Sequence, residues 1–200
     1  MAFEGAQRVP SPRLTLFVRR GFADAAMCRA LCAAIDAGAR PSTIADDISG
    51  DGGFRTSSTC DLPAGDPVVA ALDRAICDWA GLDPALGEPM QGQRYRVGQE
   101  FKAHTDYFER TSPDYDANCA VPGQRTWTAM LYLNEPAAGG ATRFMAIDKI
   151  VRPETGKLLC WSNLREDGTP NAATLHQGMK VRAGTKYVVT KWFRERPWPR

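Results

Sequence analysis

The sequence predicts an α+β fold in which helices near the N-terminus support an antiparallel sheet. Two observations lead to this prediction. Residues 1–90 contain a pair of amphipathic helical patterns, and residues 91–200 contain short apolar segments separated by turn residues. Because 200 residues fit comfortably into one domain, we expect a single domain over 1–200, with a helical support region over 1–90 and a strand-rich core over 91–200.

Both predicted helices have recognisable start and stop signals. The first covers residues 24–38, which are rich in alanine and place larger apolar residues at helical spacing. The second begins at Asp66, followed by Pro67, because proline suits the first helical position, and it ends at Gly81. Between them, residues 41–63 are rich in Gly, Ser, Thr and Asp, and we expect a loop that contains a short strand.

The strand-rich core is predicted from short apolar segments after residue 91. Strands are expected at 93–97, 126–133, 157–161 and 186–193. The breaks between them are rich in Pro, Gly, Asn and Asp, as at 134–140 and 166–171. Many short strands with such turns are typical of an antiparallel sandwich or barrel.

The composition argues against nucleic-acid and membrane partners. Hydrophobic residues make up 44% of the chain, charged residues make up 24%, and the net charge is +2. The one basic cluster, at Arg194, Arg196 and Arg200, is interpreted as a solvated tail. Residues 1–20 have no apolar run of signal-peptide length, and no segment approaches the roughly eighteen apolar residues of a membrane span. We therefore expect a cytoplasmic protein, and no pattern indicates a particular oligomeric state.

The six cysteines are predicted to be free thiols. Their positions include no CxxC pair, and Cys28 and Cys32 lie four residues apart in the first predicted helix, where they act as small apolar residues. Disulfides are rare in cytosolic proteins, and this spacing does not match a zinc site made of cysteines.

The only two histidines of the chain and one aspartate form a candidate metal site. His104 and Asp106 are two residues apart, so in an extended segment both point to the same face. His176 can supply a third ligand from elsewhere in the fold. Two imidazoles and one carboxylate match the facial triad that binds non-haem iron and leaves positions open for a bidentate co-substrate and dioxygen.

Other interpretations of these residues stay open at this point. A single HxD triplet occurs by chance and often lies at a surface, and a pair of histidines is more often structural than ligating. Zinc also accepts His and Asp ligands, so the triad alone does not select iron.

A lysine in the last predicted strand indicates a site for an anion. Alternation along 186–193 places Lys186 on the same face as Val188, Thr190 and Trp192, and Lys191 on the other face. If the first face points inward, Lys186 carries a buried ammonium that needs an anion, and a dicarboxylate co-substrate would supply it. If that face points outward, Lys186 is solvated and Lys191 is the inward residue.

Two tyrosines are secondary candidates for the same anion site. Tyr132, in the strand 126–133, could donate its hydroxyl to the same carboxylate, and Tyr95 could donate to a ligand from its own strand. Both are equally consistent with core tyrosines whose hydroxyls are satisfied by the protein.

Taken together, several segments resemble the prolyl 4-hydroxylases of the iron/2-oxoglutarate oxygenases. His176 precedes Lys186 by ten residues, as in that family, and the resemblance extends over nearly the whole chain. The matching segments are 17–37, 54–57, 93–98, 104–108, 132–134, 139–144, 176–186 and 191–192.

The resemblance implies a double-stranded β-helix, or jelly roll, with supporting N-terminal helices. It implies that Fe(II) is bound by a triad and that Lys186 pairs with the distal carboxylate of 2-oxoglutarate, helped by Tyr132 or Thr142, with Tyr95 lining the same cavity. Dioxygen would be the second co-substrate, and ascorbate a reductant. The triad would be His104, Asp106 and His176.

The resemblance also implies a substrate and the residues near it. Arg125, Trp192 and Phe101 would border a peptide or protein substrate, with a peptidyl proline as the leading target, and residues 109–124 would form a lid. Phe101 stands where the family commonly has Tyr, and Ala141 stands where it commonly has Glu. Alternatives are another hydroxylated residue, a small molecule, a zinc hydrolase with the same triad, or a jelly-roll domain that binds peptides without turnover.

Overall fold

The computed structural model describes residues 2–42 and 54–199, and its first two α-helices begin and end at the predicted signals, whereas a third, short helix was not predicted. The side chain of Asp24 accepts a hydrogen bond from the Met27 amide at the start of the first helix, and Asp66 caps the second. Gly81 ends the second helix with a φ of 67°, a conformation that favours glycine. The helices are α1 (Ala25–Gly38), α2 (Pro67–Ala80) and α3 (Tyr115–Cys119). None of these described helices has the length and apolar character needed to traverse a lipid bilayer.

Short strands dominate the described part of the chain. Their bounds are β1 (Gln7–Arg8), β2 (Leu16–Arg19), β3 (Arg40–Pro41), β4 (Ser58–Asp61), β5 (Gln91–Tyr95), β6 (Phe101–His104), β7 (Arg125–Tyr132), β8 (Ala138–Gly139), β9 (Thr142–Phe144), β10 (Lys149–Val151), β11 (Leu158–Ser162), β12 (His176–Gly178), β13 (Val181–Ala183) and β14 (Lys186–Arg194).

The strands form a major and a minor antiparallel sheet. The major sheet has eight strands in the order β1-β2-β11-β7-β14-β5-β4-β3, and the minor sheet has four in the order β10-β9-β12-β6. A further pair, β13 and β8, lies outside both sheets. The antiparallel core predicted from the turn-rich pattern is therefore confirmed at the level of mainly antiparallel sheets with few helices.

Strand alternation divides the core into two apolar layers. Leu131 and Val189 point from the major sheet to the layer that α1 and α2 cover. Tyr132 and Val188, one residue away on the same strands, point to the layer between the two sheets. Because one strand supplies both layers, a residue's position in the alternation decides whether it meets the helices or the minor sheet.

Two further features of the fold differ from the sequence prediction. The strand expected at 93–97 lies at Gln91–Tyr95, because Gly92 packs against Ile35 of α1 and the chain turns at Gly98, whose φ is 87°. The helical support region is not purely helical, since β1 to β4 come from it and extend the major sheet at both ends. These strands are two to four residues long, too short for a periodic pattern. The short strand expected within 41–63 is β4.

Candidate metal and co-substrate site

The two histidines and Asp106 converge between the sheets. His104 is the last residue of β6, His176 is the first residue of β12, and the two stand opposite each other in the antiparallel pair. Asp106 follows β6 after one intervening residue, and its Oδ1 lies 3.8 Å from Nε2 of His104. One potential ligand atom from each of the three residues falls within 4.8 Å of the others. The convergence predicted from the HxD spacing and from His176 is thus present.

Both imidazoles are held in the tautomer that a metal requires. Nδ1 of His104 donates to the carbonyl of Lys102 at 2.8 Å, and Nδ1 of His176 donates to the carbonyl of Thr174 at 2.9 Å. Because a carbonyl only accepts, Nδ1 carries the hydrogen in each ring and Nε2 keeps its lone pair. Burial and the neighbouring His176 lower the pKa of His104 to about 3, so this ring is neutral at physiological pH.

An aromatic and cationic stack fixes the plane of the His104 ring. The ring of Phe101 lies 3.5 Å from that of His104, with 14° between the planes. The guanidinium of Arg55 lies 4.9 Å from the centre of the Phe101 ring. Phe101 therefore contacts a candidate ligand directly, and the tyrosine hydroxyl common at this position in the family is absent.

Asp106 is buried but remains ionised. Burial opposes the charge, but the imidazoles of His176 and His104, the guanidinium of Arg125 and the hydroxyl of Thr128 together lower the pKa of the carboxyl. Thr128 donates to Oδ2 of Asp106 at 2.7 Å. The oxygen that faces His104 is therefore Oδ1.

A cavity connects this triad to Lys186. It lies between the sheets, and its walls come from both of them. The lining residues are Gln93, Tyr95, Phe101, His104, Asp106, Met130, Thr142, Trp161, His176, Gly178, Lys186, Val188, Thr190 and Trp192. Of the two orientations that alternation left open, the structure shows the one in which Lys186, Val188, Thr190 and Trp192 face the cavity.

Lys186 has no anionic partner among the described residues. Its side chain is 2% exposed, and its ammonium lies 4.9 Å from the centre of the Tyr95 ring and 5.5 Å from that of Tyr132. Burial lowers the pKa of this ammonium to about 7. A Cβ at Gly178 would come within 3.8 Å of Nζ, so the glycine keeps space beside the charge. The cavity thus offers an unneutralised cation to a ligand.

The two tyrosines and Thr142 take different positions around this cation. Tyr132 lies behind the cavity wall, where its hydroxyl donates to the Thr142 hydroxyl at 2.6 Å. It therefore positions Thr142, and it does not face the cavity, although a contact with the co-substrate was expected. Thr142 and Tyr95 do line the cavity. Tyr95 donates to the side-chain oxygen of Gln93 at 2.8 Å, so its hydroxyl proton is already used.

Outside the triad, a wider groove opens past Trp192, Arg125 and Arg55. The guanidinium of Arg125 stacks 4.0 Å from the centre of the Trp192 ring and forms an ion pair with Glu88 at 2.6 Å. Nε1 of Trp192 is buried without a hydrogen-bond partner in the described part of the chain. Arg125 and Trp192 therefore lie at the rim of the cavity, as their predicted role requires.

Arg55 is a groove residue to which the sequence prediction assigned no role. Its side chain donates to three neutral acceptors, at 2.8 Å to Gln91, 3.2 Å to Thr59 and 3.3 Å to Ser57. No carboxylate pairs with it among the described residues. The sequence signal for Arg55 was its position inside the matching segment 54–57.

The interpretation of the C-terminal arginines as a solvated tail is wrong for Arg194, which is buried, whereas Arg196 is exposed but hydrogen-bonded. Arg194 is 2% exposed, pairs with Glu88 at 2.6 Å and donates to the carbonyl of Gly123 at 2.7 Å. Arg196 donates to the carbonyls of Cys119, Ala120 and Val121. Residues 118–123 of the predicted lid are therefore anchored to the end of β14. Arg200 lies outside the described residues.

The two imidazole nitrogens, the carboxylate oxygen and the separate cation fit Fe(II) together with 2-oxoglutarate. Residues 90–194 match the model of the 2OG-Fe(II) oxygenase superfamily, a segment that contains every residue of the cavity.

Similar proteins are known by sequence and by structure. Prolyl 4-hydroxylase subunit alpha-1 of Homo sapiens is 33% identical over 161 residues, which cover 78% of this chain and 30% of that protein. Probable prolyl 4-hydroxylase 4 of Arabidopsis thaliana is 31% identical over 201 residues, which cover 88% of this chain and 66% of that protein.

A solved viral collagen prolyl hydroxylase from Paramecium Bursaria Chlorella virus-1, in its 2OG complex, shares the fold. Its TM-score is 0.68 at 23% identity, covering 90% of this chain and 95% of that one. The chain spans about a third of the human relative and about two thirds of the plant relative. On the match over residues 90–194 and the site that these residues build, this chain belongs to the 2OG-Fe(II) oxygenase superfamily.

Proposed function

We propose that this protein is an Fe(II)- and 2-oxoglutarate-dependent dioxygenase that hydroxylates a peptidyl proline and releases succinate and carbon dioxide. The observation that carries the proposal is a cavity that joins a two-histidine, one-carboxylate triad to the buried ammonium of Lys186, which no described residue neutralises. A metal ion at the triad and a dianion at Lys186 would neutralise the charges at the two ends of this cavity.

His104, Asp106 and His176 would hold the iron. Their donor set matches the facial triad, and the fixed tautomers aim both Nε2 lone pairs at the same point. Carbonyl oxygens as partners of Nδ1 are the usual means of orienting ligand imidazoles. Bound together, Fe(II), 2-oxoglutarate and dioxygen supply the oxidising chemistry that replaces a C–H bond of the substrate by C–OH.

Lys186 would bind the distal carboxylate of 2-oxoglutarate, with the Thr142 hydroxyl beside it. The cation faces the cavity, and Tyr132 keeps the hydroxyl of Thr142 in place through a 2.6 Å bond. Tyr95 and the space over Gly178 would shape the same end of the cavity. The protein thus orients the co-substrate by charge at one end and by the metal at the other.

The wider groove would bind the substrate next to the triad. Phe101 and Trp192 line both the cavity and the groove, so they would border the target carbon. The unpartnered Nε1–H of Trp192 and the guanidiniums of Arg55 and Arg125 are donors suited to the carbonyl groups of an extended peptide. We therefore favour a peptide or protein substrate over a small molecule, and proline over other residues because of the relatives' names.

A zinc hydrolase with the same triad is the second candidate, and two observations disfavour it. Such an enzyme needs a free general base near the metal. The described residues that line the cavity include one carboxylate, Asp106, and the nearby Glu88 is engaged by Arg125 and Arg194. The hydrolase also leaves Lys186 without a role.

We also propose the finer architecture and the setting of the enzyme. The major and minor sheets that enclose the cavity support a double-stranded β-helix, or jelly roll, within a single oxygenase domain over 1–200. The six free thiols support a reducing, cytoplasmic environment. Ascorbate would act as an auxiliary reductant.

The test combines an optical and a product assay. Under anaerobic conditions, Fe(II) and 2-oxoglutarate added together should produce a metal-to-ligand charge-transfer band that neither produces alone. After admission of air, succinate should form faster with proline-containing peptides, one of which should gain one oxygen atom, and faster still with ascorbate. A protein that binds zinc, gives no such band with Fe(II) and releases no succinate would refute the proposal.

A further inference from the structure

A chain of buried hydrogen bonds runs behind the triad to the carboxylate of Asp106. The indole Nε1–H of Trp161 donates to Oδ1 of Asn163 at 3.1 Å, and Nδ2 of Asn163 donates to Oγ1 of Thr128 at 2.9 Å. Thr128 donates in turn to Oδ2 of Asp106 at 2.7 Å. Asn163 and Thr128 are completely buried, and Thr128 lies outside the residues that line the cavity.

The direction of every bond in this chain is set by its first member. An indole nitrogen can only donate, so the atom of Asn163 that faces Trp161 is the amide oxygen. The amide nitrogen then faces Thr128 and must donate to it. The single hydroxyl proton of Thr128 is left for Asp106, whose ionised carboxylate only accepts.

Because of these hydrogen bonds, the two carboxylate oxygens of Asp106 have different partners. Oδ2 is occupied by the Thr128 hydroxyl, and Oδ1 faces Nε2 of His104 at 3.8 Å. A metal ion held by the triad would find both lone pairs of Oδ1 free, whereas one lone pair of Oδ2 is already used by the Thr128 hydroxyl. A carboxylate without this bond can turn and present both oxygens to a metal.

The same network reaches His176 through the backbone. The carbonyl of Asn163 accepts from the Asn171 amide at 2.9 Å, and the Thr174 hydroxyl donates to the Asn171 carbonyl at 2.8 Å. The Thr174 carbonyl is the group that orients Nδ1 of His176. Asn163 thus connects Asp106 and His176, two of the three candidate ligands.

We propose that Thr128, held by Asn163, is a positioning residue that restricts Asp106 to a single metal-binding oxygen and so keeps a coordination position free for 2-oxoglutarate. The inference rests on the proposed function of the site. Loss of the Thr128 hydroxyl would leave metal affinity nearly unchanged and weaken 2-oxoglutarate binding, because the second oxygen of Asp106 would take a position that the co-substrate needs.

Variants of the full chain test this separation. Thr128→Val removes the hydroxyl at constant size, and Thr128→Ser restores it. Asn163→Asp keeps the shape but turns a donor into an acceptor, so the Thr128 hydroxyl is drawn away from Asp106. Thr126→Val is the matched control, because Thr126 lies on the same strand face and its hydroxyl donates to the Phe193 carbonyl at 3.1 Å, remote from Asp106.

The readouts are the Mn²⁺ dissociation constant, measured by electron paramagnetic resonance, and the 2-oxoglutarate concentration that half-develops the anaerobic Fe(II) charge-transfer band. We expect T128V and N163D to need at least about tenfold more 2-oxoglutarate, which corresponds to about 1.4 kcal/mol, with Mn²⁺ binding within about threefold of wild type. T128S and T126V should match wild type in both.

The outcomes separate the two proposals. Wild-type protein that gives no band contradicts the proposed function. A normal wild-type band with the same 2-oxoglutarate dependence in T128V overturns the role of Thr128. Loss of Mn²⁺ binding in folded T128V also overturns it, since the hydroxyl would then be needed for metal retention. If T128V does not fold, N163D decides the question by the same criteria.

Discussion

Replacing Lys186 by methionine should weaken 2-oxoglutarate binding without removing the metal. The substitution keeps a long apolar side chain in the space between Tyr95 and Tyr132 and removes only the charge. The ammonium is 2% exposed and unpaired by any described residue, so a bound carboxylate would be its partner. The triad is untouched by this change.

The magnitude follows from the strength of hydrogen bonds to charged groups. Such a bond contributes about 1.5–3 kcal/mol. Because about 1.4 kcal/mol corresponds to a factor of ten, the dissociation constant should rise roughly 10- to 100-fold. A carboxylate left buried and unpaired in the cavity would raise it further.

Lys191→Met is the matched control, with one correction to the expectation from sequence. Lys191 lies on the same strand and faces the helices, but it is buried and pairs with Asp73 of α2 at 2.7 Å. The variant should therefore have a lower melting temperature, whereas a solvated lysine would leave stability unchanged. Its 2-oxoglutarate dependence should equal that of wild type.

The assay is anaerobic titration of the Fe(II) protein with 2-oxoglutarate, followed through the charge-transfer band and checked by steady-state succinate formation. Equal 2-oxoglutarate dependence in the Lys186 and Lys191 variants would refute the reasoning. The anion site would then lie elsewhere, and the alternation of β14 would have been misinterpreted.

Further predictions concern the triad, protons, thiols and a buried ion pair. Alanine substitution of any one candidate ligand, His104, Asp106 or His176, should abolish 2-oxoglutarate turnover and stoichiometric iron binding. The circular dichroism spectrum should stay near that of wild type. Because the pKa of Lys186 is about 7 without a ligand, and a carboxylate partner raises it, 2-oxoglutarate binding at pH 8 should take up a proton. Titration calorimetry in two buffers of different ionisation enthalpy measures this uptake, and identical heats would contradict it. All six thiols should be alkylated in unreduced, denatured protein, and a disulfide in the mass spectrum would contradict the predicted compartment. Glu88→Gln leaves the guanidiniums of Arg125 and Arg194 without a carboxylate partner, so the free energy of unfolding measured with urea should fall by about 3 kcal/mol. An unchanged urea midpoint would show that the pairing adds no stability.

The elements with strong local signals were predictable from sequence. Helix α1 follows Asp24, and α2 lies between Asp66 and Gly81, because capping side chains and a left-handed glycine act within a few residues. Alternation along a nine-residue strand placed Lys186 and Trp192 on one face and Lys191 on the other, and it left open which face points inward. The two-residue spacing of His104 and Asp106 likewise predicted that both point to one face of an extended segment.

Other parts depend on contacts that are distant in sequence. Strand β2 is stabilised by pairing with β11, more than 130 residues later, and β1 in turn pairs with β2. The sequences of both strands contain few alternating positions. The burial of Arg194 depends on Glu88, which lies 106 residues earlier. Thr128 and Asn163 are 35 residues apart, and only the pairing of β7 with β11 brings them together.

The distribution of buried charges connects the fold to its function. The buried Lys157, Lys191 and Arg194 each form an ion pair with a carboxylate at 2.8 Å or less. Among the buried charged side chains of the described residues, Asp106 forms no ion pair with a lysine or arginine, and Lys186 forms none with a carboxylate. Both residues line the same cavity. Unpaired buried charges are costly, and a cation bound at Asp106 together with a dianion reaching Lys186 would neutralise both. We therefore expect Fe(II) and 2-oxoglutarate together to raise the melting temperature by more than the sum of their separate effects, and purely additive shifts would argue against one shared cavity.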